Sequence, residues 1–142
     1  MKQRVILRIC GKQHYDGQEP DTIELVTEGT MEFTAGGWEI CYEESELTGL
    51  AGVTTVFRLE PGRVILDRKG RLQSQMVFQE GVTHESLYQA EFGALLISVC
   101  AKKITGELSR QGGSVELVYT ISVEYSAAGT VEYRLLVEPI ET

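Results

Sequence analysis

Ser114-Val115-Glu116-Leu117-Val118-Tyr119-Thr120-Ile121-Ser122-Val123-Glu124-Tyr125 decides the fold class. Val115, Leu117, Tyr119, Ile121, Val123 and Tyr125 take every second position, against Ser114, Glu116, Thr120, Ser122 and Glu124. Side chains of a strand alternate between two faces, whereas a helix repeats its apolar residues at steps of three and four. The segment therefore reads as a strand with one apolar and one polar face. The same period recurs outward from it. Val131, Tyr133, Leu135 and Val137 follow at once. Upstream, Val5, Leu7 and Ile9 alternate with Arg4 and Arg8, and Val53, Thr55, Phe57 and Leu59 with Thr54, Arg58 and Glu60. Leu72, Met76 and Phe78 alternate with Gln73, Gln75 and Gln79.

Turn chemistry separates these segments: Ala35-Gly36-Gly37, Arg68-Lys69-Gly70, Glu80-Gly81, Gln111-Gly112-Gly113 and Ala127-Ala128-Gly129. Glu60-Pro61-Gly62-Arg63 suits a type II turn, with proline setting φ and glycine supplying φ > 0. Short connections make neighbouring strands antiparallel. The count is roughly nine or ten strands, with one helical turn at most, at Leu47–Gly49. Consecutive hairpins that share one apolar face need a common core. The expected fold is all-β: a single closed or nearly closed antiparallel up-and-down barrel, which buries that face and removes exposed edges. A sandwich is the alternative.

Composition sets the outer limits. The chain has 142 residues, is 42% hydrophobic and carries a formal charge of -8. That is a single globular domain over 1–142, able to bury a core without disulfides. A pI near 4.8 argues against nucleic acid as a partner, since phosphate binding needs a basic patch. Arg8 interrupts the first apolar run after three residues, so there is no signal-peptide core, and Ala94–Ile97 is too short to cross a membrane. Cys10, Cys41 and Cys100 are odd in number and widely spaced, a poor disulfide framework and a poor zinc site. The expectation is a cytoplasmic protein with no membrane partner.

Tyr42-Glu43-Glu44, then Gly49, then Val53-Thr54-Thr55 is similar to a pattern of the YwiB-like family of small bacterial proteins. Arg68-x-Gly70, Met76-x-Phe78-x-x-Gly81 and Tyr88-x-x-x-Phe92-Gly93 fit it as well. The resemblance runs from about residue 3 to residue 137, and rests on the order and spacing of short motifs. It implies a calycin-like, lipocalin-type barrel from a Gram-positive cytoplasm. The family is itself of unknown function, so no catalytic residue carries over. Ala90-Glu91 departs from the Thr-Pro-like pair expected before Phe92-Gly93, which bears on that loop and not on the fold.

Three constellations bear chemistry. In Val82-Thr83-His84-Glu85-Ser86-Leu87-Tyr88, an inward Val82 places His84, Ser86 and Tyr88 on one interior wall, where they would meet a polar ligand group. The bland reading is an ordinary strand with a solvated histidine. No nucleophile elbow surrounds Ser86 and no carboxylate orients His84, so no catalytic residue is assigned. Glu39, Cys41 and Glu43, with Glu44 and Glu46, offer oxygen ligands, but alternate residues of a strand stand about 7 Å apart, wide for one ion without other strands contributing. A charged outer face is the simpler reading, and no metal is assigned. Arg58, Arg63, Arg68 and Arg71 surround two hairpin turns and would make an anion-binding patch at one rim, or simply solubilise the edge. Cys100, after Leu96-Ile97-Ser98-Val99, reads as a buried, inert thiol.

The expected function is a barrel that holds a small molecule in its interior, with His84, Ser86, Tyr88, Ser74, Arg58 and Arg68 as ligand contacts and no cofactor. Ligand binding predicts an open-mouthed cavity of several hundred Å³. The alternative is a non-catalytic interaction module. It would act through the outward apolar residues Ile6, Val56, Val77, Val118 and Leu136, most simply as a homodimer.

Overall fold

Hairpins in strict succession build the molecule. The computed structural model describes residues 2–14, 19–45 and 50–140, so the helical turn expected at Leu47–Gly49 lies outside the described residues. Among the described residues ten strands run in chain order: β1 (Gln3–His14), β2 (Asp21–Thr34), β3 (Gly37–Glu43), β4 (Val53–Glu60), β5 (Arg63–Gly70), β6 (Ser74–Phe78), β7 (Thr83–Ala90), β8 (Gly93–Ser109), β9 (Gly112–Val123) and β10 (Ser126–Pro139). Sequence neighbours pair antiparallel except β6 with β7, and β1 pairs with β10, giving the order β6-β5-β4-β3-β2-β1-β10-β9-β8-β7. The remaining seam, between β6 and β7, is held by the bridges Gln73–Gln89 and Gln79–Val82. The result is a nearly closed up-and-down barrel, and the sandwich is excluded.

The period-two pattern drives this closure. Val115, Leu117 and Tyr119 of β9 are buried, as are Val131, Leu135 and Val137 of β10 and Val5, Leu7 and Ile9 of β1. The opposite faces carry cross-strand ion pairs, including Arg4–Glu28, Arg8–Glu138 and Arg134–Glu116. Gly62 sits at φ 81°, as the Glu60–Arg63 turn requires. A β-bulge between Ala101 and Lys103 shifts the phase of β8. Leu95, Ile97, Val99 and Ala101 face inward before it, and Ile104, Gly106 and Leu108 after it. Cys100 is thus on the outer phase and half-buried, between Val99 and Ala101, which are buried. This corrects the buried thiol expected from the sequence, because the four apolar residues Ala94–Ile97 hide the alternation.

Candidate functional site

Three inward rows cross β3, β4, β5 and β6 in register, and they divide the barrel along its axis. Trp38, Leu59, Val64 and Phe78 form the row at the end that carries the β2–β3 and β4–β5 turns. Ile40, Phe57, Leu66 and Met76 form the middle row. Tyr42, Thr55, Arg68 and Ser74 form the row at the opposite end. Rows two residues apart along a strand are separated by about 7 Å. The middle row is closed by the opposite wall: Ile40 and Phe57 are fully buried, and Leu7, Leu117 and Leu135 are equally enclosed. A packed apolar layer therefore separates two ends of different chemistry.

The first end is an open mouth whose lining mixes apolar and polar groups. A cleft of about 1200 Å³ is lined by Phe33, Trp38, Leu59, Ile104 and Leu108, with Glu60, Arg63, Glu80 and Glu107 around it. Phe33 has the inward phase of β2 but is 58% exposed, because at this height the barrel interior is open to solvent. Its ring meets Trp38 edge-on, with centroids 5.1 Å apart and an interplanar angle of 63°. The rim is braced by its own charges. Glu60 accepts from Arg58 Nε at 2.6 Å and from Arg63 Nε, and these partners lower its carboxyl below the usual carboxylate range, Arg58 most. Glu80 Oε1 accepts the Ile104 N–H at 2.8 Å, just past the β8 bulge.

The second end is a buried polar network. Glu44 follows β3 and turns inward, where its carboxylate accepts the Thr55 hydroxyl at 2.5 Å. Tyr42 also donates to Glu44, and Tyr133, from the facing wall, donates to Tyr42. Burial, and then the Glu44 charge, push the Tyr42 phenol up to about 12. Burial holds Tyr133 well above the ordinary tyrosine value. Both phenols are thus firm donors. Arg68 Nε stands 3.9 Å from Glu44 Oε2, close enough for charge attraction and too far for a hydrogen bond. Gly29 makes room here: a Cβ would sit 2.6 Å from the Cys41 carbonyl oxygen and 3.2 Å from Tyr42 Cβ.

A family model described as "Domain of unknown function (DUF1934)" matches residues 7–135. The chain belongs to the DUF1934 family. It is similar to the uncharacterized beta-barrel protein YwiB of Bacillus subtilis (strain 168), at 27% identity over 82 residues. That match covers 58% of this chain, and the chain spans only 56% of the relative's length. The fold matches the crystal structure of the ywiB protein from Bacillus subtilis with a TM-score of 0.87 and 20% identity, over 99% of this chain and 94% of that one. The resemblance to YwiB-like proteins is thereby confirmed, and so is the barrel.

Within this DUF1934 barrel the six residues singled out as ligand contacts fall in separate places. His84, Ser86 and Tyr88 share the half-buried, inward phase of β7, while Leu87 is 51% exposed. His84 Nε2 lies 3.3 Å from Gln79 Oε1, and Gln79 lines the cleft. Tyr88 packs against the core near the polar end, where Gln89 bridges Gln73. Ser74 and Arg68 are adjacent in the polar row. Arg58 is on the outer phase of β4, where it pairs with Glu39 and Glu60 and donates to the Thr34 and Ala35 carbonyls.

The four arginines do not form one rim patch. Arg58 and Arg63 brace the cleft end, while Arg68 and Arg71 lie at the other end of β5, because an eight-residue strand separates the two turns. The acidic residues of β3 also part company. Glu39 bonds Arg58 and Glu43 bonds Thr54 outside, whereas Glu44 enters the interior; Glu46 lies outside the described residues. Burial, followed by Glu43, raises the Cys41 thiol and disfavours its thiolate. Of the outward apolar residues, Ile6 sits between Glu28 and Glu138, and Val118 between Lys103 and Glu132. They do not join into one patch.

The cleft lining was not singled out from the sequence. Phe33, Trp38, Leu59, Ile104 and Leu108 come from four strands, and the last two acquire their inward phase only through the bulge. The one local signal is the glycine content of the mouth, at Gly36-Gly37, Gly106 and Gly112-Gly113.

Proposed function

We propose that this barrel binds a small amphipathic molecule in the open end of its interior. The carrying observation is the cleft of about 1200 Å³ with the aromatic pair Phe33–Trp38 on one wall and Ile104 and Leu108 on another. Ligand sites are concave, mostly apolar and edged by a few polar groups, and barrel mouths are among their usual places. The cleft is larger than one ligand of drug size fills. The reading is of a cytoplasmic, calycin-like binding protein with no catalytic role, and the cleft rather than the β7 row supplies its contacts.

Trp38 is the only tryptophan and lines the cleft, so its emission reports occupancy directly. Titration with anilinonaphthalene sulfonate should give saturable dye fluorescence with energy transfer from Trp38. Leu108→Glu should abolish both while the far-ultraviolet dichroism stays that of the parent. A linear, unsaturable dye response, or saturation unaffected by Leu108→Glu, would sink the proposal.

A second reading has its own observation. A groove of about 500 Å³ on the outer face is lined by Arg8, Cys10, Val26, Arg134 and Leu136. A two-fold homodimer through this face would bring Val26, 58% exposed, into contact with its copy. Sedimentation at rising concentration decides it: a pure monomer excludes the dimer.

A further inference from the structure

The geometry points to a second binding subsite, at the polar end, in which Arg68 and Ser74 together hold the carboxylate of a small monoanionic ligand. This site does not depend on the cleft. The middle row and the enclosed Phe57 and Phe78 lie between them.

Two buried side-chain atoms among the described residues have no hydrogen-bond partner, and they are Arg68 Nε and Ser74 Oγ. They belong to residues directly opposite each other on β5 and β6, both facing the interior. Side chains so paired have Cβ atoms about 4.5–5.5 Å apart. Ser74 is 8% exposed, so its hydroxyl is enclosed by protein. A buried donor left without an acceptor is costly, and buried polar groups in native structures are almost always satisfied. Two such donors on directly opposed residues of neighbouring strands mark a place for acceptor oxygen.

Glu44 does not fill that role. Its carboxylate is held by Thr55 and Tyr42, and at 3.9 Å it offsets the guanidinium charge without taking its N–H groups. Arg68 Nε is itself enclosed, while the side chain as a whole is 21% exposed. A carboxylate matches the planar guanidinium fork with two oxygens, and the hydroxyl of Ser74 adds a third bond. The charge balance selects among anions. One guanidinium already faces one carboxylate, so a monoanion leaves one excess negative charge at the site and a phosphate dianion leaves two, which makes the monoanion the less costly of the two. Tyr42 donates to Glu44 and Tyr133 donates to Tyr42, so neither phenol proton is committed to Arg68 or Ser74.

The test is a proton–nitrogen NMR titration of the whole protein with acetate, with acetamide and inorganic phosphate as comparisons. The Arg68 Nε–H resonance is assigned by its loss in Arg68→Lys, and in Ser74→Ala should acetate binding weaken about tenfold, as for one hydrogen bond to a charged group. The expected result is a saturable shift of that resonance with acetate, weaker effects of acetamide and phosphate, and dye binding in the cleft unchanged in Ser74→Ala. The proposal is overturned by the absence of a saturable shift, by an acetate affinity indifferent to Ser74→Ala, or by phosphate binding tighter than acetate. A long-lived water on Arg68 Nε that acetate does not displace also overturns it, assigning the pair a structural role.

Discussion

The rings of Phe57 and Tyr133 face each other across the barrel, centroids 6.1 Å apart and 17° from parallel. Phe57 belongs to the packed middle row and Tyr133 to the start of the polar network, so this stack is where the dry and polar parts of the interior meet. Truncation at Phe57 removes a fully enclosed ring and one half of an aromatic pair. Phe57→Ala should cost about 3–5 kcal/mol of unfolding free energy. Urea denaturation checks it, with an unchanged slope marking a loss of packing alone. Phe33→Ala should cost well under that, since Phe33 is already 58% exposed.

Thr55 is fully buried and donates to Glu44, so Thr55→Val keeps the shape and removes the hydroxyl. The carboxylate then lacks one of its donors in a place that water does not reach freely. The expected cost is about 1–3 kcal/mol, measured by the same denaturation series. Removing Glu44 as well, in Glu44→Gln/Thr55→Val, should cost less than the sum of the two single changes, since the two residues are in direct contact. Strict additivity would show that the bond contributes nothing.

The strands and their order were legible because period two is a local signal and Gly-rich turns punctuate it. Which polar residues meet was less legible, for reasons visible at particular positions. Arg68 follows Val64-Ile65-Leu66, three apolar residues that conceal the phase, although the buried Val64 and Leu66 set Arg68 inward. Glu44 lies past the end of β3, where alternation gives no guidance, yet it anchors the network. Tyr133 reaches Tyr42 from β10, across the barrel, a pairing set by curvature rather than by neighbouring residues. β2 is disguised by Val26, which points outward, and by Thr27 and Gly29 on the inner phase.

Alkaline pH should unfold the barrel through its tyrosines. Tyr42 titrates at about 12 in the folded protein and Tyr133 well above its ordinary value, whereas both ionise near 10 when unfolded. Between those values the folded chain holds protons that the unfolded chain has lost, so stability falls as pH rises. It is fully present below pH 10 and declines from about 10 toward 12, at roughly 1.4 kcal/mol per pH unit for each tyrosine. Denaturation at stepped pH measures the slope. Tyr42→Phe should remove part of it, and an unchanged slope in that variant would contradict the assignment.

The β9–β10 hairpin carries a strain that a single substitution should relieve. Val123 pairs with Ser126, so Glu124 and Tyr125 form a two-residue loop, and both have positive φ, 50° and 66°. Such a loop matches the strand twist but is normally built from Asn and Gly, because a Cβ costs about 1–2 kcal/mol in this region. Glu124 has a compensating role, since its Oε1 accepts the Leu96 N–H at 2.7 Å and ties the loop to β8. Tyr125 is 77% exposed and loses little by truncation. Tyr125→Gly removes the steric cost but makes the unfolded chain more flexible, by about 0.5–1 kcal/mol. The net expectation is a gain of about 0.5–1 kcal/mol, a rise of roughly 2–4 °C in Tm by calorimetry. Glu124→Gly should give no such gain, because the bond to Leu96 is lost along with the strain. Equal behaviour of the two variants would mean that the positive φ values, and not the Leu96 contact, govern this turn.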